Sequence, residues 1–368
     1  MNFTIQREAL LKPLQTICGV VERRQTLPIL SHVLIQCDGQ QLTLTATDLE
    51  VEMVATAVVE SAENGETTLP ARKFMDICRT LPEGAKISLS VDGERATLRA
   101  GKSRFTLSTL PAGDFPNIEA VADSLGFVIP QQDLKSLIDH TAFAMAQQDV
   151  RYYLNGLMLE LAEGTLRSVA TDGHRLAMCE HACNIEGGND RQIILPRKGV
   201  TELGRLLEDD SAVVRVEVGN NHIRLSINDL IYTSKLIDGK FPDYQRVLPD
   251  KTDKLLVGER ELLRNALSRA SILSNEKYRG IRLLLDTNAL RIVANNPEQE
   301  EAEEEIEVEY NNDALEIGFN VNYVIDALNA ISTDKVQIAF SDANSSCLIT
   351  AAGETAGQCK YVVMPMRL

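Results

Sequence analysis

In the stretch ATDGHRLAM, residues 170–178, an acid, an imidazole and a guanidinium fall within four positions: Asp172, His174 and Arg175. A carboxylate two residues from an imidazole is raw material for general acid–base work, in which one group orients the other and a proton moves to or from a bound substrate. That chemistry needs a nucleophile or a metal beside it, and the sequence shows neither near the motif. The other reading makes the three residues a piece of surface, with His174 capping or packing a strand end. Shortly after, CEHAC sets Cys179, His181 and Cys183 at metal-ligand spacing, yet no fourth ligand follows at a familiar interval. No Gly-x-x-x-x-Gly-Lys-Ser/Thr loop and no Gly-x-Gly-x-x-Gly after a strand occurs, so nucleotide use has no support. These observations assign no catalytic residue, no metal and no cofactor.

The elements that position the motif recur along the chain. LTLTATDLEVEM, LRSVATDGHRLA and LRIVANNPEQEE begin at Leu42, Leu166 and Leu290, an offset of 124 residues each time, and Ala46, Ala170 and Ala294 coincide. Upstream, Val33, Ile35 and Cys37 match Leu157, Leu159 and Leu161, then Ile281, Leu283 and Leu285, the alternation of a half-buried strand. Each copy opens on a helical stripe: Leu10, Leu14, Ile17 and Val21; Leu134, Leu137, Ile138 and Met145; Leu263, Ala266, Leu267 and Ala270. Pro13 inside the first stripe predicts a late start or a bend. A second helix follows, with buried faces Phe74–Ile77–Leu81, Val200–Leu203–Leu207 and Val324–Ala327–Ile331. Three α+β domains are expected, each an antiparallel sheet with two helices on one face. The first copy has Leu49 and Glu50 after Asp48, and the third has Asn296, Pro297 and Glu298, so the His–Arg pair is confined to the middle copy. A scaffold with one diverged loop suits a binding surface as well as an active site.

The 368 residues carry 53 acids and 37 bases, a formal charge of −16, which taken evenly argues against a nucleic-acid partner. The distribution is uneven. Residues 7–25 hold four bases against two acids, and residues 70–81 and 196–207 each hold three against one. The six helical segments together are +4, leaving −20 elsewhere. Arg72 and Lys198 stand 126 residues apart, as do Arg79 and Arg205, so equivalent helices present bases at equivalent places. Surface helices carry bases for solubility too, but a repeated placement suits a regular polyanion. No base-reading module accompanies it, so contact would be with phosphates, independent of sequence and sensitive to salt. With the remainder acidic, surrounding a duplex would hold it better than gripping it.

No window approaches the ~18 apolar residues of a membrane span. The start, MNFTIQREALL, lacks the layout of a signal peptide, which implies a cytoplasmic protein. Seven scattered cysteines with no Cys-x-x-Cys pair read as reduced and mostly buried.

TLPIL (26–30), LPARKFMDICR (69–79), QDVRYYLNG (148–156), ATDGHRLA (170–177), PRKGV (196–200), DGKFPDYQRVLP (238–249), SNEKYRG (274–280), ANNPEQEEAEE (294–304) and YVVMPMRL (361–368) are similar to motifs of the bacterial DNA polymerase III beta subunits, the replicative sliding clamps. The resemblance runs end to end. It implies clamp domains at 1–121, 122–249 and 250–368, closing as a homodimer into a six-domain ring with sheets outside and helices inside. It implies a processivity factor without catalysis that encircles duplex DNA. Partners would be the polymerase III alpha subunit, the clamp loader, other DNA polymerases, ligase and mismatch-repair proteins, docking through short peptides.

By the same resemblance, DNA would be met by Arg24, Arg72, Lys73, Gln148, Tyr152, Tyr153 and Lys198, with sheet-edge packing the other reading of the tyrosine pair. The peptide pocket would comprise Leu154, Thr171, Gly173, His174, Arg175, Leu176, Pro242, Arg246 and Val247, with Asn320, Tyr323, Ser346, Val362, Met364, Pro365, Met366 and Arg367. Such a set gives an apolar floor with a few polar fixers, suited to Leu and Phe anchors, and the methionines add an adaptable wall. Asn344 stands where an aliphatic pocket residue is expected, and TAGQCK before the last strand is longer than usual for the family.

Ring closure has a charge signature of its own. Glu298, Glu300, Glu301, Glu303, Glu304 and Glu305 make a solvated acidic loop or one side of an interface, and Lys73, Arg95, Arg99, Lys102 and Arg104 supply the opposite sign in the first copy. Head-to-tail closure would pack Phe105 and Leu107 near Ile272 and Leu273 while the charges fix register.

Overall fold

A computed structural model describes residues 1–22, 27–118, 125–162, 164–183, 190–208, 210–249, 252–353 and 358–367. Among them are six α-helices: α1 (Arg7–Ile17), α2 (Ala71–Thr80), α3 (Gln131–Asp139), α4 (Arg197–Leu206), α5 (Arg260–Ala270) and α6 (Val321–Ala330). Helices α2, α4 and α6 each span 10 residues and follow a strand ending at Pro70, Pro196 or Asn320. Their buried stripes have helical period; in α2 the stripe is Ala71, Phe74 and Cys78, with Ile77 only half-buried beside it. Arg79 and Arg205 lie in the last turns of α2 and α4, at the negative pole of each helix, paired with Asp76 and Glu202 one turn back at 2.8 Å in both.

Helix α1 starts at Arg7 and runs through Pro13, so the expected late start does not occur. The proline forfeits one backbone bond, and burial of Leu10, Leu14 and Ile17 keeps the turn helical. Helix α3 buries Leu134, Leu137 and Ile138 but ends at Asp139; Met145 is buried from the chain that follows it.

The chain forms two compact units, residues 1–132 with 198–236, and residues 133–197 with 237–368. The first holds an eight-stranded antiparallel sheet in the order Leu125–Pro130, Val213–Val218, His222–Ile227, Leu230–Lys235, Val51–Val58, Gln41–Thr47, His32–Asp38 and Gly65–Pro70. It also holds a five-stranded sheet from Ser61–Glu63 through Asn2–Gln6, Lys86–Asp92 and Arg95–Ala100 to Ser103–Ser108. The second unit's nine-stranded sheet runs Arg191–Pro196, Gly156–Ala162, Thr165–Thr171, Arg175–Ala182, Cys359–Val363, Cys347–Ala351, Lys335–Phe340, Lys254–Glu259 and Glu309–Tyr310. Its four-stranded sheet runs from Glu301–Glu307 through Ala289–Asn295 and Gly280–Asp286 to Leu315–Asn320.

Strands therefore pair across the sequence repeats. Val51–Val58 pairs with Leu230–Lys235, and its counterpart Arg175–Ala182 pairs with Cys359–Val363. Among the described residues the corresponding third strand, Glu301–Glu307, ends its sheet with one edge unpaired, as does Ser103–Ser108 in the first unit.

The second of these junctions corrects the reading of all seven cysteines as reduced. Cys179 and Cys359 lie opposite one another in register and are joined by a disulfide; Cys18, Cys37, Cys78, Cys183 and Cys347 are free and buried. In this state Cys179 is unavailable as a metal ligand, which removes the first position of CEHAC.

Candidate functional site

The Asp172 carboxylate is occupied by its own turn. Oδ1 accepts from the backbone N–H of His174 at 2.9 Å and of Arg175 at 3.0 Å, and Oδ2 accepts from Arg175 Nε at 3.1 Å. Thr171 Oγ1 donates to Arg175 O at 2.6 Å and accepts from Gly173 N–H at 3.0 Å. The same turn stands one repeat earlier: Asp48 Oδ1 accepts from the N–H of Glu50 and Val51 at 2.9 and 2.7 Å, and Thr47 Oγ1 bonds Val51 O and Leu49 N–H at 2.9 and 3.1 Å. In the third copy Asn296 Oδ1 accepts from Glu300 N–H at 2.9 Å. A short polar side chain closing its own turn is a structural device, so the recurring residue shapes backbone rather than moving protons.

The middle copy adds three features. Gly173 has φ +89°, a backbone conformation that favours glycine, and a Cβ there would fall 2.9 Å from Arg151 Nη2, so the guanidinium would have to shift. Arg151 is held by Asp149 at 2.8 and 3.1 Å and by Asp172 O at 3.2 Å. Its side chain and backbone N–H keep the Asp149 carboxyl at about 2, below the ordinary range. Arg175 binds Asp326, donates to Phe143 O at 2.8 Å, and lies 5.3 and 4.6 Å from the ring centroids of Phe143 and Tyr323. The His174 ring stacks on Tyr323 with centroids 6.4 Å apart and planes at 15°.

Beside this turn is a cavity of about 170 Å³. Nine expected residues line it: Leu154, Thr171, Gly173, Arg175, Leu176, Pro242, Val247, Val362 and Met364. Its floor belongs to a buried cluster containing Leu154, Leu176, Met158, Phe241 and Val362. Arg151 and Tyr244, absent from the expected set, also line it, as does Tyr153, expected at DNA. Tyr244 comes from the short 3-10 turn Tyr244–Val247. Its hydroxyl donates to Glu160 Oε2 at 2.5 Å and accepts from Arg167 Nη1 at 2.8 Å. Burial and the neighbouring Glu160 push the Tyr244 phenol above its ordinary value.

Other expected pocket residues are not among those lining this cavity. Asn320 caps α6 by accepting from Asn322 N–H at 3.0 Å. Arg246 is 85% exposed and pairs with Asp243 at 2.9 Å. Met366 N–H donates to Gly318 O at 2.8 Å; Ser346, Pro365 and Met366 are half-buried, and Arg367 is exposed. Asn344 sits in an exposed turn, donating to Asp342 Oδ1 at 2.7 Å, away from the lining. The first half of the TAGQCK stretch, positions 355–357, lies outside the described residues.

Of the residues expected at DNA, Arg24 also lies outside the described residues. Arg72 and Lys73 are exposed on α2, with Arg72 Nη2 donating to Val21 O at 2.7 Å. Gln148 is exposed, at φ +56°. Tyr152 is 56% exposed and meets Tyr153 edge-on at 5.8 Å. Lys198 is paired with both Glu22 and Asp48; burial works against its charge, but the two carboxylates outweigh it and raise its pKa.

At the two free sheet edges, Phe105 and Leu107 are half-buried while Arg95 and Arg104 are exposed. Ile272 is 74% exposed and Leu273 half-buried, in a 3-10 turn packed beside Glu301–Glu307. On that edge Glu304 takes a two-pronged bond from Arg269 at 2.7 Å and Glu303 meets Arg291 at 3.4 Å, while Glu298 and Glu301 are exposed. Glu300 is tied to Asn296 at 2.6 Å.

Three family models match the chain in succession: the N-terminal domain of the DNA polymerase III beta subunit over residues 1–119, its central domain over 128–243 and its C-terminal domain over 245–367. The beta sliding clamp of Pseudomonas aeruginosa is 60% identical over 369 residues, and that of Escherichia coli K12 is 53% identical over 370, with both chains fully covered in each case. The crystal structure of the DNA polymerase III subunit beta from P. aeruginosa superposes with a TM-score of 0.98 at 59% identity, each chain covered completely. A P. aeruginosa sliding clamp bound to griselimycin gives 0.96 at 60% identity, again with full coverage of both.

Proposed function

The chain belongs to the DNA polymerase III beta subunit family, the beta sliding clamps, and on that premise we propose that two copies close head-to-tail into a ring around duplex DNA. The observation that carries closure is the series of strand junctions. Two of the three equivalent strands find a partner within the chain, Val51–Val58 with Leu230–Lys235 and Arg175–Ala182 with Cys359–Val363. Among the described residues the third, Glu301–Glu307, lacks one, and the counterpart of the partner strands, Ser103–Ser108, is equally free. A second copy supplies the missing match twice over, and a heterologous contact made twice closes on itself. Charge supports the register: the Glu301–Glu307 strand carries five glutamates, and Arg95, Arg99, Lys102 and Arg104 cluster at the other edge.

Such a ring is a processivity factor. It performs no chemistry and keeps DNA by enclosure, with Arg72, Lys73, Gln148, Tyr152, Lys198 and Arg24 facing the duplex. The cavity beside Gly173 and Arg175 takes Leu and Phe anchors of short peptides. Its occupants are the polymerase III alpha subunit, the clamp loader, other DNA polymerases, ligase and mismatch-repair proteins. The three domains divide near residues 121 and 249, and the protein works in the cytoplasm; among the described residues no helix is long and apolar enough to cross a membrane.

The test is topological. Loaded onto a nicked circular plasmid by the loader and ATP, the protein should co-elute with DNA on a sizing column and be lost after a single restriction cut. Equal retention on circle and linear DNA overturns enclosure.

A further inference from the structure

Cys179 and Cys359 lie on strands that also build the cavity: Arg175–Ala182 provides Arg175 and Leu176, and Cys359–Val363 provides Val362. Register pairs Leu176 with Val362 and Cys179 with Cys359. The Glu180 N–H donates to Gln358 O at 2.9 Å, which makes Glu180–Gln358 a hydrogen-bonded pair and Cys179–Cys359 the adjacent non-hydrogen-bonded one. In antiparallel sheets that second kind brings side chains closest, and here the Cα atoms are 4.0 Å apart. The register of the two strands thus sets the two cysteines side by side.

Both cysteines line a small cavity of about 130 Å³ that is also lined by His140, His181 and Tyr361. The Tyr361 hydroxyl is within 3.2 Å of His140 Nδ1. Cys179 is buried, 1% exposed, whereas Cys359 is partly exposed, so a small solute reaches Cys359 first.

We propose that Cys179 and Cys359 are a reversible dithiol–disulfide pair, oxidised by a hydroperoxide, which staples the junction carrying the peptide cavity and so tightens peptide binding. The Cys359 thiolate attacks the peroxide, taking one oxygen to become a sulfenic acid and releasing hydroxide. The Cys179 thiol then displaces that oxygen as water. One hydrogen peroxide is consumed and two electrons leave the two sulfurs; with the thiol protons counted, two waters form. A dithiol reductant reverses the bond by exchange. Tightening follows because the link fixes Leu176 against Val362 before the peptide arrives, removing part of the ordering cost of binding. This regulation rests on the peptide-site reading above.

The full-length protein is reduced, desalted, treated with hydrogen peroxide, quenched, and alkylated with N-ethylmaleimide after denaturation. Intact mass should show seven adducts on reduced protein and five after peroxide, because five cysteines are free in the bonded form. Anisotropy with a fluorescein-labelled peptide ending in Leu and Phe should give an affinity about threefold tighter for the oxidised form, reversed by dithiothreitol. Cys359→Ser should keep one affinity under both treatments; the wild-type arms stand without it. Seven adducts after peroxide overturn the pair, and equal affinities despite five adducts overturn the coupling. A probe that binds neither state overturns the peptide-site reading, while the adduct count still decides the dithiol chemistry.

Discussion

Tyr244 presents its ring to the cavity and its hydroxyl to a charged cluster behind it, so two substitutions separate wall from support. Tyr244→Phe keeps the ring and deletes bonds to Glu160 and Arg167. Neither partner is orphaned: Arg167 still binds Glu160 and, at 2.8 and 2.9 Å, Glu180, while Glu160 still accepts from Gln192 at 2.6 Å. The two lost bonds share one hydroxyl and leave both partners satisfied, so the cost is about 1.5 kcal/mol, the low end for hydrogen bonds to charged groups. At the standard conversion of 1.4 kcal/mol per factor of ten, amides of the Tyr244–Val247 turn should exchange with deuterium about tenfold faster. Peptide affinity should fall no more than about threefold, since the wall retains its shape. Tyr244→Ala removes a side chain that is 4% exposed, costs about 3–5 kcal/mol, and should weaken peptide binding more than about tenfold. The assay is anisotropy with the labelled peptide beside exchange mass spectrometry on each variant. If Tyr244→Phe binds as poorly as Tyr244→Ala, the hydroxyl contacts the peptide and the supporting role is wrong; if Tyr244→Ala binds like the parent, the ring is no wall.

Two further outcomes follow from exposure and burial. Ile272→Ala combined with Leu273→Ala removes the apolar part of the proposed closure, so sedimentation equilibrium should show monomers at concentrations where the parent is dimeric; an unchanged dimer mass refutes that contact. Glu202 is 7% exposed, and burial raises its carboxyl pKa although Arg205 opposes the shift. A raised folded pKa favours the protonated form, so its contribution is full below the ordinary carboxyl range and is lost as pH rises through the folded value. Glu202→Gln should therefore unfold at higher denaturant than the parent at pH 7, with the gap narrowing toward pH 4; a variant equally stable or weaker at pH 7 contradicts the sign.

Local periodicity made the helices legible, because a buried face needs apolar residues at helical spacing wherever it packs. It placed Phe74 and Leu203 correctly and missed Cys78, a smaller apolar residue than Ile77 but one position better aligned with Ala71 and Phe74. Strand alternation states which side of a sheet a residue faces but not which strand lies alongside, so pairing across the repeats was invisible, and with it the meeting of Cys179 and Cys359, separated by 180 residues. Arg151 and Tyr244 escaped for the same reason. Arg151 lies against Gly173, where a Cβ would crowd its guanidinium, and the Tyr244 hydroxyl is bound by Glu160 and Arg167, contacts that no spacing in the chain records.

The repeated turn shows how one scaffold carries a site in one copy alone. At both Asp48 and Asp172 the carboxylate and the preceding threonine make the same bonds, and both following strands pair with a strand from the next repeat. The fold is therefore indifferent to what occupies the next three positions. In the first copy these are Leu49, Glu50 and Val51, with Leu49 carrying the positive φ of 78° and Val51 buried. In the middle copy they are Gly173, His174 and Arg175, which admit Arg151, stack on Tyr323 and place a cation over two aromatic rings. Leu49 offers no such passage and Val51 no charge. The acid in the motif is thus common property of the scaffold, while the glycine, the imidazole and the guanidinium turn one of two like junctions into a pocket.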